Sequence, residues 1–342
     1  MLRIREPFGK STIARVANSL LVLLIIAVMS LLVISCSQKN ESTKVTIAQT
    51  GDFFLYAPIY LALDAGFFGQ AGLDVTIVST GGDEKSWAAV LSGSASFAVS
   101  DPTFIAVSAD KGVPGKIVAS IVNGVPFWGI TYDSISAFSS SGDLSGHVVG
   151  TFPSPSTAYT LQKKMFEDAG LEPNIREGAF GTIIAMLKSG EVDIGLELEP
   201  NVSQAIQNGA RLVYSMAPIY GDFAITGLTT TPKIIEEQSG VVEGIVCSIQ
   251  KAMLFAREQQ DSALVLLSKR FPEIHATVAR NAFQRVIDEG IIPATPVLSD
   301  EAWNSAIQVR VEVGDVEELQ PSSTYVDNRF ALSAENNCKV NE

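Results

Sequence analysis

Histidine and cysteine are scarce in this sequence, with two His and three Cys among 342 residues. None of the motifs CxxC, HExxH or GxSxG occurs, so zinc sites and serine hydrolases of the common types have no sequence support. Basic residues are also few, at 24 Lys and Arg against 37 Asp and Glu. Because nucleic-acid phosphates bind Lys and Arg, this acidic balance argues against a nucleic-acid partner. We expect no catalytic residue, no metal and no cofactor.

The first 35 residues have the layout of a secretory signal, in which basic side chains precede an apolar run over 20–35. That run is shorter than the roughly 20 residues of a transmembrane helix. It ends in Val-Ile-Ser-Cys at 33–36, which resembles the lipobox of bacterial lipoproteins. The resemblance implies cleavage before Cys36, lipidation of its thiol, and an extracytoplasmic chain anchored to the bacterial cell membrane through a tether at 36–43. A plain N-terminal membrane anchor is the alternative.

Two further cysteines remain. Cys247 lies in an apolar helical stretch and Cys338 in a polar tail. An exported protein can pair them, but a buried thiol and a loose one fit the sequence equally well. The sequence therefore leaves this pairing open.

The remaining 300 residues or so are enough for two domains. Up to Thr231, strand-like and helix-like segments alternate, which is typical of βαβ units and a largely parallel sheet. The predicted strands are 45–48, 74–78, 96–99, 116–121, 129–132, 147–151, 192–196, 211–214 and 223–229. The predicted helices between them are 59–65, 84–91, 158–169, 182–188 and 202–207. Beyond Thr231 only helices are predicted, at 234–256, 263–271, 274–287 and 300–313.

A short internal repeat suggests two similar halves. The segment 88–93 reads as a helix that stops at a Gly and leads into the strand at 95–99. The segment 185–190 has the same layout and leads into the strand at 192–196. Gly after a helix suits a left-handed cap. Two similar α/β halves would face each other across a cleft, and ligands of open α/β sheets bind at the carboxyl ends of strands.

Four segments, in order, resemble one known family. The first is Tyr-Ala-Pro-Ile-Tyr-Leu-Ala-Leu-Asp-Ala-Gly-Phe-Phe at 56–68 with Ala-Gly-Leu-Asp-Val at 71–75. The others are Gly-Thr at 150–151 with Ser-Pro-Ser-Thr at 154–157, Leu-Lys-Ser-Gly-Glu-Val-Asp at 187–193 with Glu-Pro at 199–200, and Tyr-Val-Asp-Asn-Arg-Phe at 325–330. Together they resemble the ABC-importer solute-binding proteins of the nitrate, sulfonate, taurine and thiamine-precursor group, across nearly all of 44–330.

The resemblance implies an α/β, two-lobed periplasmic-binding-protein fold of type II, with two crossover strands at the hinge and a helical C-terminal segment. We expect lobe 1 to combine 44–126 with 224–342, and lobe 2 to span 127–223. It also implies a monomer that closes on a small-molecule solute by hinge motion and then meets an ABC permease with its ATPase. A sensory lipoprotein of the same fold and a pyrimidine-synthesising enzyme are the alternatives.

The predicted ligand contacts are polar or aromatic side chains that follow predicted strands. They are Asp52, Phe53, Tyr56, Ser100, Asp101, Thr103, Ser154, Ser156, Thr157, Glu197, Glu199, Tyr220 and Asp222. Each group has a structural alternative: core aromatics for the first loop, turn chemistry for the second, a helix cap for the third and a solvated rim for the two glutamates.

The chemistry of these residues favours two kinds of ligand. Hydroxyl side chains at a helix start suit an oxyanion such as a sulfonate. Glu197 and Glu199 alternate along one extended run, so both could face the cleft, and with the aromatics they suit a nitrogen heterocycle such as a thiamine pyrimidine precursor. A zwitterion would satisfy both groups of residues. No Arg falls in these loops, which weakens the case for a clamped anion.

Overall fold

The computed structural model describes residues 42–109, 111–154 and 156–340. The predicted signal segment and Cys36 lie outside the described residues. The part from Thr43 onward is one compact unit.

Ten strands, fourteen α-helices and three short 3-10 helices lie in the described residues of this unit. The strands are β1 Thr43–Gln49, β2 Leu73–Ser79, β3 Phe97–Ser100, β4 Lys116–Asn123, β5 Trp128–Thr131, β6 Val149–Thr151, β7 Ile175–Glu177, β8 Ile194–Glu197, β9 Arg211–Ser215 and β10 Ala224–Thr230. The helices are α1 Ala57–Asp64, α2 Phe67–Gln70, α3 Asp83–Leu91, α4 Phe104–Ala109, α5 Thr157–Asp168, α6 Ile183–Ser189, α7 Asn201–Gln207, α8 Ala217–Tyr220, α9 Pro232–Glu237, α10 Ser239–Glu258, α11 Gln260–Arg270, α12 Ala276–Asp288, α13 Asp300–Glu312 and α14 Arg329–Asn337.

The strands form two separate five-stranded sheets. The first has the order β2-β1-β3-β10-β4 and the second has the order β7-β6-β8-β5-β9. In the first sheet β10 runs antiparallel to both neighbours, while β1 is parallel to β2 and β3. In the second, β5 is the antiparallel strand and β6 is parallel to β7 and β8. The two sheets therefore share one topology.

In each sheet the antiparallel strand is the one that arrives from the other sheet. The chain leaves the first sheet after Asn123 and enters the second at Trp128. It leaves the second after Ser215 and returns at Ala224. Two connections thus join the sheets.

The internal repeat predicted from the sequence is confirmed by the topology. Helix α3 leads into β3 and helix α6 leads into β8, and both strands hold the third position of their sheets. The Gly that follows each helix has a left-handed conformation, with φ of 77° at Gly93 and 73° at Gly190. A Cβ is disfavoured at such φ values, which explains why Gly ends both helices.

The inner strands β3, β5 and β8 are covered on both faces of their sheets, whereas the edge strands β2 and β7 are partly exposed. All four residues of β3, β5 and β8 are buried, as expected for strands between two helical layers. Helix α10 contributes a long buried face that packs against α1 and α14. By length and composition α10 could also span a membrane, but more than half of its apolar window is buried inside the protein, as in a core helix.

The C-terminal region is helical, as predicted, with two corrections. The helix predicted over 234–256 is two helices, α9 and α10, which meet at Gln238, where the backbone leaves the helical region at φ −136° and ψ 38°. An additional helix, α14, begins at Arg329, inside the segment 325–330 that resembles the family's C-terminal ending. The pairing that the sequence left open is present: Cys247 in α10 is disulfide-bonded to Cys338, which directly follows α14.

Candidate functional site

A cavity of about 440 Å³ lies where the carboxyl ends of strands from both sheets meet. Its walls come from the segments that follow β1, β2, β3, β6, β7 and β8, from the first connection between the sheets, from the start of β10 and from helix α13. The lining residues are Thr50, Phe53, Leu55, Tyr56, Gly81, Gly82, Asp83, Glu84, Asp101, Phe104, Pro126, Phe127, Phe152, Ser156, Thr157, Ala158, Phe180, Leu198, Ile225, Thr226 and Arg310. This is the place where open α/β sheets bind ligands.

Asp83 is the acidic group at the centre of the first-sheet wall. It is the first residue of α3, directly after a Gly pair in which Gly81 has φ of 81°. Its Oδ1 accepts hydrogen bonds from the Thr50 hydroxyl and from the backbone N–H of Asp101, the latter at 3.0 Å. Burial raises the pKa of this carboxyl, and the neighbouring Asp101 carboxylate raises it further.

Arg310 enters the cavity wall from helix α13 and is held in a dense polar network. Its Nη2 donates to Asp101 Oδ2 at 2.6 Å and its Nη1 donates to Asp315 at 3.1 Å. Its Nε donates to the Thr103 hydroxyl at 2.9 Å. The guanidinium also lies 4.9 Å from the centre of the Phe104 ring. Arg310 is therefore neutralised by two carboxylates and fixed in position.

Aromatic rings from both sides of the cavity form much of its apolar surface. Phe152 and Phe180, which follow β6 and β7, stack with centroids 4.1 Å apart. The Phe180 ring also lies near Phe53, which belongs to the first-sheet side, with ring centroids 6.3 Å apart. Phe53 in turn contacts Tyr56 edge-on, with centroids 5.5 Å apart. Phe180 keeps 61% of its surface exposed.

The amino end of helix α5 forms the polar part of the second-sheet wall. Ser156 caps the helix, because its hydroxyl accepts from the backbone N–H of Tyr159 at 3.3 Å. Thr157 and Ala158 follow it in the wall. A helix start also presents unpaired N–H groups and the positive end of the helix dipole.

The structure brings part of the predicted contact set to this cavity. The predicted residues in its lining are Phe53, Tyr56, Asp101, Ser156 and Thr157. The predicted residues outside the lining are Asp52, Ser100, Thr103, Ser154, Glu197, Glu199, Tyr220 and Asp222. Contact with a solute stays a prediction for all of them.

Several residues outside the lining have local partners instead. Asp52 accepts from the Gln49 amide at 2.7 Å, and the Tyr220 hydroxyl donates to the Leu161 carbonyl at 2.5 Å. Thr103 supports the site indirectly, since it joins Asp101 to Arg310.

The two glutamates are both buried, at 1% and 3% exposure for Glu197 and Glu199, but neither lines the cavity. Glu199 accepts from Arg285 Nε at 2.7 Å, from the Ser203 hydroxyl at 2.8 Å and from the Ser203 N–H at 3.0 Å. Glu197 accepts from the Asn201 amide at 3.1 Å. The expectation that both carboxylates face the cleft assumed a continuing strand, whereas β8 ends at Glu197. Glu199 instead links α7 to α12.

Sequence reasoning missed three prominent residues of the cavity. Asp83 stands directly after Gly-Gly at 81–82 and begins a helix, a signal that was available but not used. Phe180 lies in the sequence Ala-Phe-Gly at 179–181, directly beyond strand β7, which the pattern analysis did not predict. Arg310 had no signal, because it belongs to a helix about 200 residues away from Asp101, its partner.

The groups suited to covalent or metal chemistry lie elsewhere. His147 stacks on Phe138 at 6.1 Å, and His275 caps helix α12. Cys247 and Cys338 are bonded to each other. Within the described ranges, no group of three or more His, Cys, Asp or Glu side chains is arranged to hold a metal ion.

Comparisons with known proteins match this architecture. The sequence profile of the family described as NMT1/THI5 like matches residues 54–263. YtlA of Bacillus subtilis (strain 168), which is named as a binding protein, is 22% identical over 309 residues, 87% of this chain and 91% of its own. The periplasmic aliphatic sulphonate binding protein SsuA from Escherichia coli has a TM-score of 0.65 and 17% identity over 84% of this chain and 92% of its own.

An enzyme also shares this architecture. The desulfurization enzyme DSZB has a TM-score of 0.61 and 13% identity, covering 86% of this chain and 99% of its own. At these identities the solved structures are similar in fold alone. The α/β fold of the periplasmic binding proteins, with a helical C-terminal segment, is thereby confirmed.

Proposed function

This chain belongs to the NMT1/THI5-like family, and from that premise we propose that it is the extracytoplasmic solute-binding protein of an ABC importer. It captures a small organic solute between its two sheets and presents it to a membrane permease with its ATPase. The name of the relative YtlA and the sulphonate-binding neighbour SsuA support a binding role.

The observation that carries the proposal is the cavity at the facing strand ends of two sheets with the same topology. Its size suits a small molecule, and its walls combine aromatic rings with a few polar groups, as small-molecule sites generally do. The exposed ring of Phe180 supports the same role, because a bound solute would cover it. Neither His147 nor His275 belongs to the lining, and Cys247 and Cys338 are bonded to each other.

Closure of the sheets over the solute is part of the proposal. Two connections join the sheets, at 124–127 and 216–223. The first lines the cavity through Pro126 and Phe127, and the second leads into β10, whose Ile225 and Thr226 line it as well. Rotation about these connections would change the gap between Phe53 and Phe180, which approach each other from opposite sides. We expect the solute to reduce the radius of gyration of the purified protein in small-angle X-ray scattering.

Anchoring to the membrane rests on the sequence. Cleavage before Cys36 and lipidation of its thiol would hold the binding unit beside the permease. We expect mass spectrometry of the mature protein to find an added acyl mass, and Cys36→Ala to abolish it. An unmodified Cys36 in an exported, membrane-bound chain would support the plain anchor instead.

The binding role is tested by a thermal-shift screen of the purified protein. The panel holds taurine, alkanesulfonates, nitrate, thiamine pyrimidines, riboflavin, amino acids and organic amines. A solute at 100 times its dissociation constant adds about 2.7 kcal/mol of stability, enough for a clear shift in melting temperature. Calorimetry then compares Phe180→Ala with Leu332→Ala, another exposed apolar residue outside the lining. We expect only Phe180→Ala to weaken binding.

Uptake separates transport from sensing. Loss of the gene should abolish accumulation of the radiolabelled solute if the protein serves an importer. Unchanged uptake with intact binding would identify a sensory lipoprotein. If no panel compound stabilises the protein, and if loss of the gene leaves the uptake of every panel compound unchanged, the proposed function is contradicted.

A further inference from the structure

We propose that the solute is an organic cation with an apolar or aromatic body, held by Asp83 and by the aromatic rings of the cavity. This rests on the proposed binding function and adds the chemical class of the solute. It runs against an anionic solute, although several structural neighbours are named for binding sulfonates.

The first argument is the balance of charge at the cavity. Its acidic lining residues are Asp83, Glu84 and Asp101, and Arg310 is the one basic side chain in the lining as far as the chain is described. Arg310 already pairs with Asp101 and Asp315. An anionic solute would therefore meet an excess of negative charge and an Arg whose charge is already satisfied. A cationic solute would meet the opposite sign.

The second argument is the state of Asp83. Within the described chain it forms no ion pair. Both of its hydrogen bonds reach Oδ1, so Oδ2 accepts none from described residues. A largely buried carboxylate outside any ion pair is unfavourable. Burial and the Asp101 charge raise the pKa of Asp83, and the nearby Arg310 charge offsets only part of that rise. A ligand ammonium beside Oδ2 would supply the missing partner.

The third argument is the aromatic surface. Phe53, Phe152 and Phe180 approach one another from both sides of the cavity, and the Phe104 ring already carries the Arg310 guanidinium on its face. Faces of aromatic rings attract cations and also stack flat apolar groups. An ammonium at Asp83 with an apolar body among these rings satisfies both features at once.

The test uses three probes with the same body and different head groups: 2-phenylethylamine, 2-phenylethanol and 2-phenylethanesulfonate. Isothermal titration calorimetry is run on the purified full chain at pH 7.5. We expect the amine to bind at least about tenfold more tightly than the alcohol, and the sulfonate to bind more weakly than either. An amine that binds no better than the alcohol, or a sulfonate that binds best, overturns the inference.

Asp83→Asn provides the matched variant. The amide oxygen can keep both hydrogen bonds that Oδ1 accepts, so the variant changes charge with little change of shape. We expect it to remove the preference for the amine over the alcohol. Asp74→Asn, at an exposed position of β2, is the control and should keep that preference. An unchanged preference in Asp83→Asn contradicts the assignment of this residue.

Phe180→Ala keeps the test informative if Asp83→Asn folds poorly. Since the ring contributes contact area irrespective of the head group, we expect amine and alcohol to lose affinity by a similar factor. The preference for the amine should then remain. Failure of this inference can be distinguished from failure of the proposed binding function. If a neutral or anionic compound from the solute panel binds best, the binding function stands and only the assignment of a cationic solute is wrong.

Discussion

The ion pair between Arg285 and Glu199 offers the sharpest test of how the C-terminal helices are tied to the second sheet. The Glu199 side chain is fully buried, whereas Arg285 keeps 21% of its side-chain surface exposed. Arg285→Met preserves most of the aliphatic contact but leaves a buried carboxylate with only the Ser203 donors. Removal of one member of a buried pair costs about 3–5 kcal/mol. For Arg285→Met we expect a loss of unfolding free energy of about 3 kcal/mol, at the lower end of this range, because water can reach the Arg285 position.

The loss should depend on pH with a defined sign. Burial raises the pKa of Glu199, and the hydrogen bond and charge of Arg285 oppose that rise. Without Arg285 the folded-state pKa rises further above the value in the unfolded chain. The variant then loses stability relative to the wild type as pH rises through that raised pKa, and recovers it as pH falls and the carboxyl binds a proton.

The assay is urea-induced unfolding followed by circular dichroism at pH 7.5 and pH 5. Arg280→Met is the matched control, since Arg280 lies on the same helix and its pair with Asp261 is exposed, at 62% and 86%. That exposed pair should contribute under about 1 kcal/mol at both pH values. Glu199→Gln combined with Arg285→Met should recover part of the loss. Equal losses in the two Arg variants, or a loss at Arg285 that is independent of pH, would refute the reasoning.

Three other predictions follow from the structure. Replacing both Cys247 and Cys338 by Ser removes a cross-link between residues with a sequence separation of 91. From the chain entropy of such a loop we expect the free energy of unfolding to fall by about 4–5 kcal/mol. Equal urea midpoints for the oxidised wild type and the variant would contradict this. The affinity for 2-phenylethylamine should rise as pH increases through the raised pKa of Asp83 and then level off, because the carboxyl group binds the ammonium only when it is ionised. The groups that face this carboxylate are Asp101, Arg310 and the Thr50 hydroxyl. Calorimetry between pH 4.5 and 7.5 measures the profile, and an affinity that does not change with pH opposes the prediction. Gly129→Ala would place a Cβ 2.3 Å from the Tyr214 ring. We therefore expect the free energy of unfolding in urea to fall by about 1–3 kcal/mol, whereas an unchanged value would mean that the ring moves freely.

Much of the architecture could be predicted from the sequence because it depends on local patterns. Alternating strand and helix segments predicted the α/β class, and the Gly stops near 93 and 190 marked two equivalent helix–strand units. The Cys pair was not predictable, since α10 and α14 meet only after the helices pack.

The cavity was predicted in part. Loops that directly follow strands, such as those with Tyr56, Asp101 and Ser156, can be located from the strand ends alone. Glu197 and Glu199 seemed equivalent by alternation, but alternation holds only while the strand continues. Glu199 lies beyond the end of β8, and its partner Arg285 is distant in sequence.

The sequence by itself therefore determined the fold class, the repeat and the strand ends where a solute would bind, because these follow from residue periodicity and turn chemistry. Only the tertiary structure decided the charge of the site. Asp101 and Arg310 are about 200 residues apart, and their pairing leaves Asp83 outside the ion pairs of the described chain. The preference of the cavity for a ligand of one sign is set by such contacts between distant segments, and a local pattern carries no record of them.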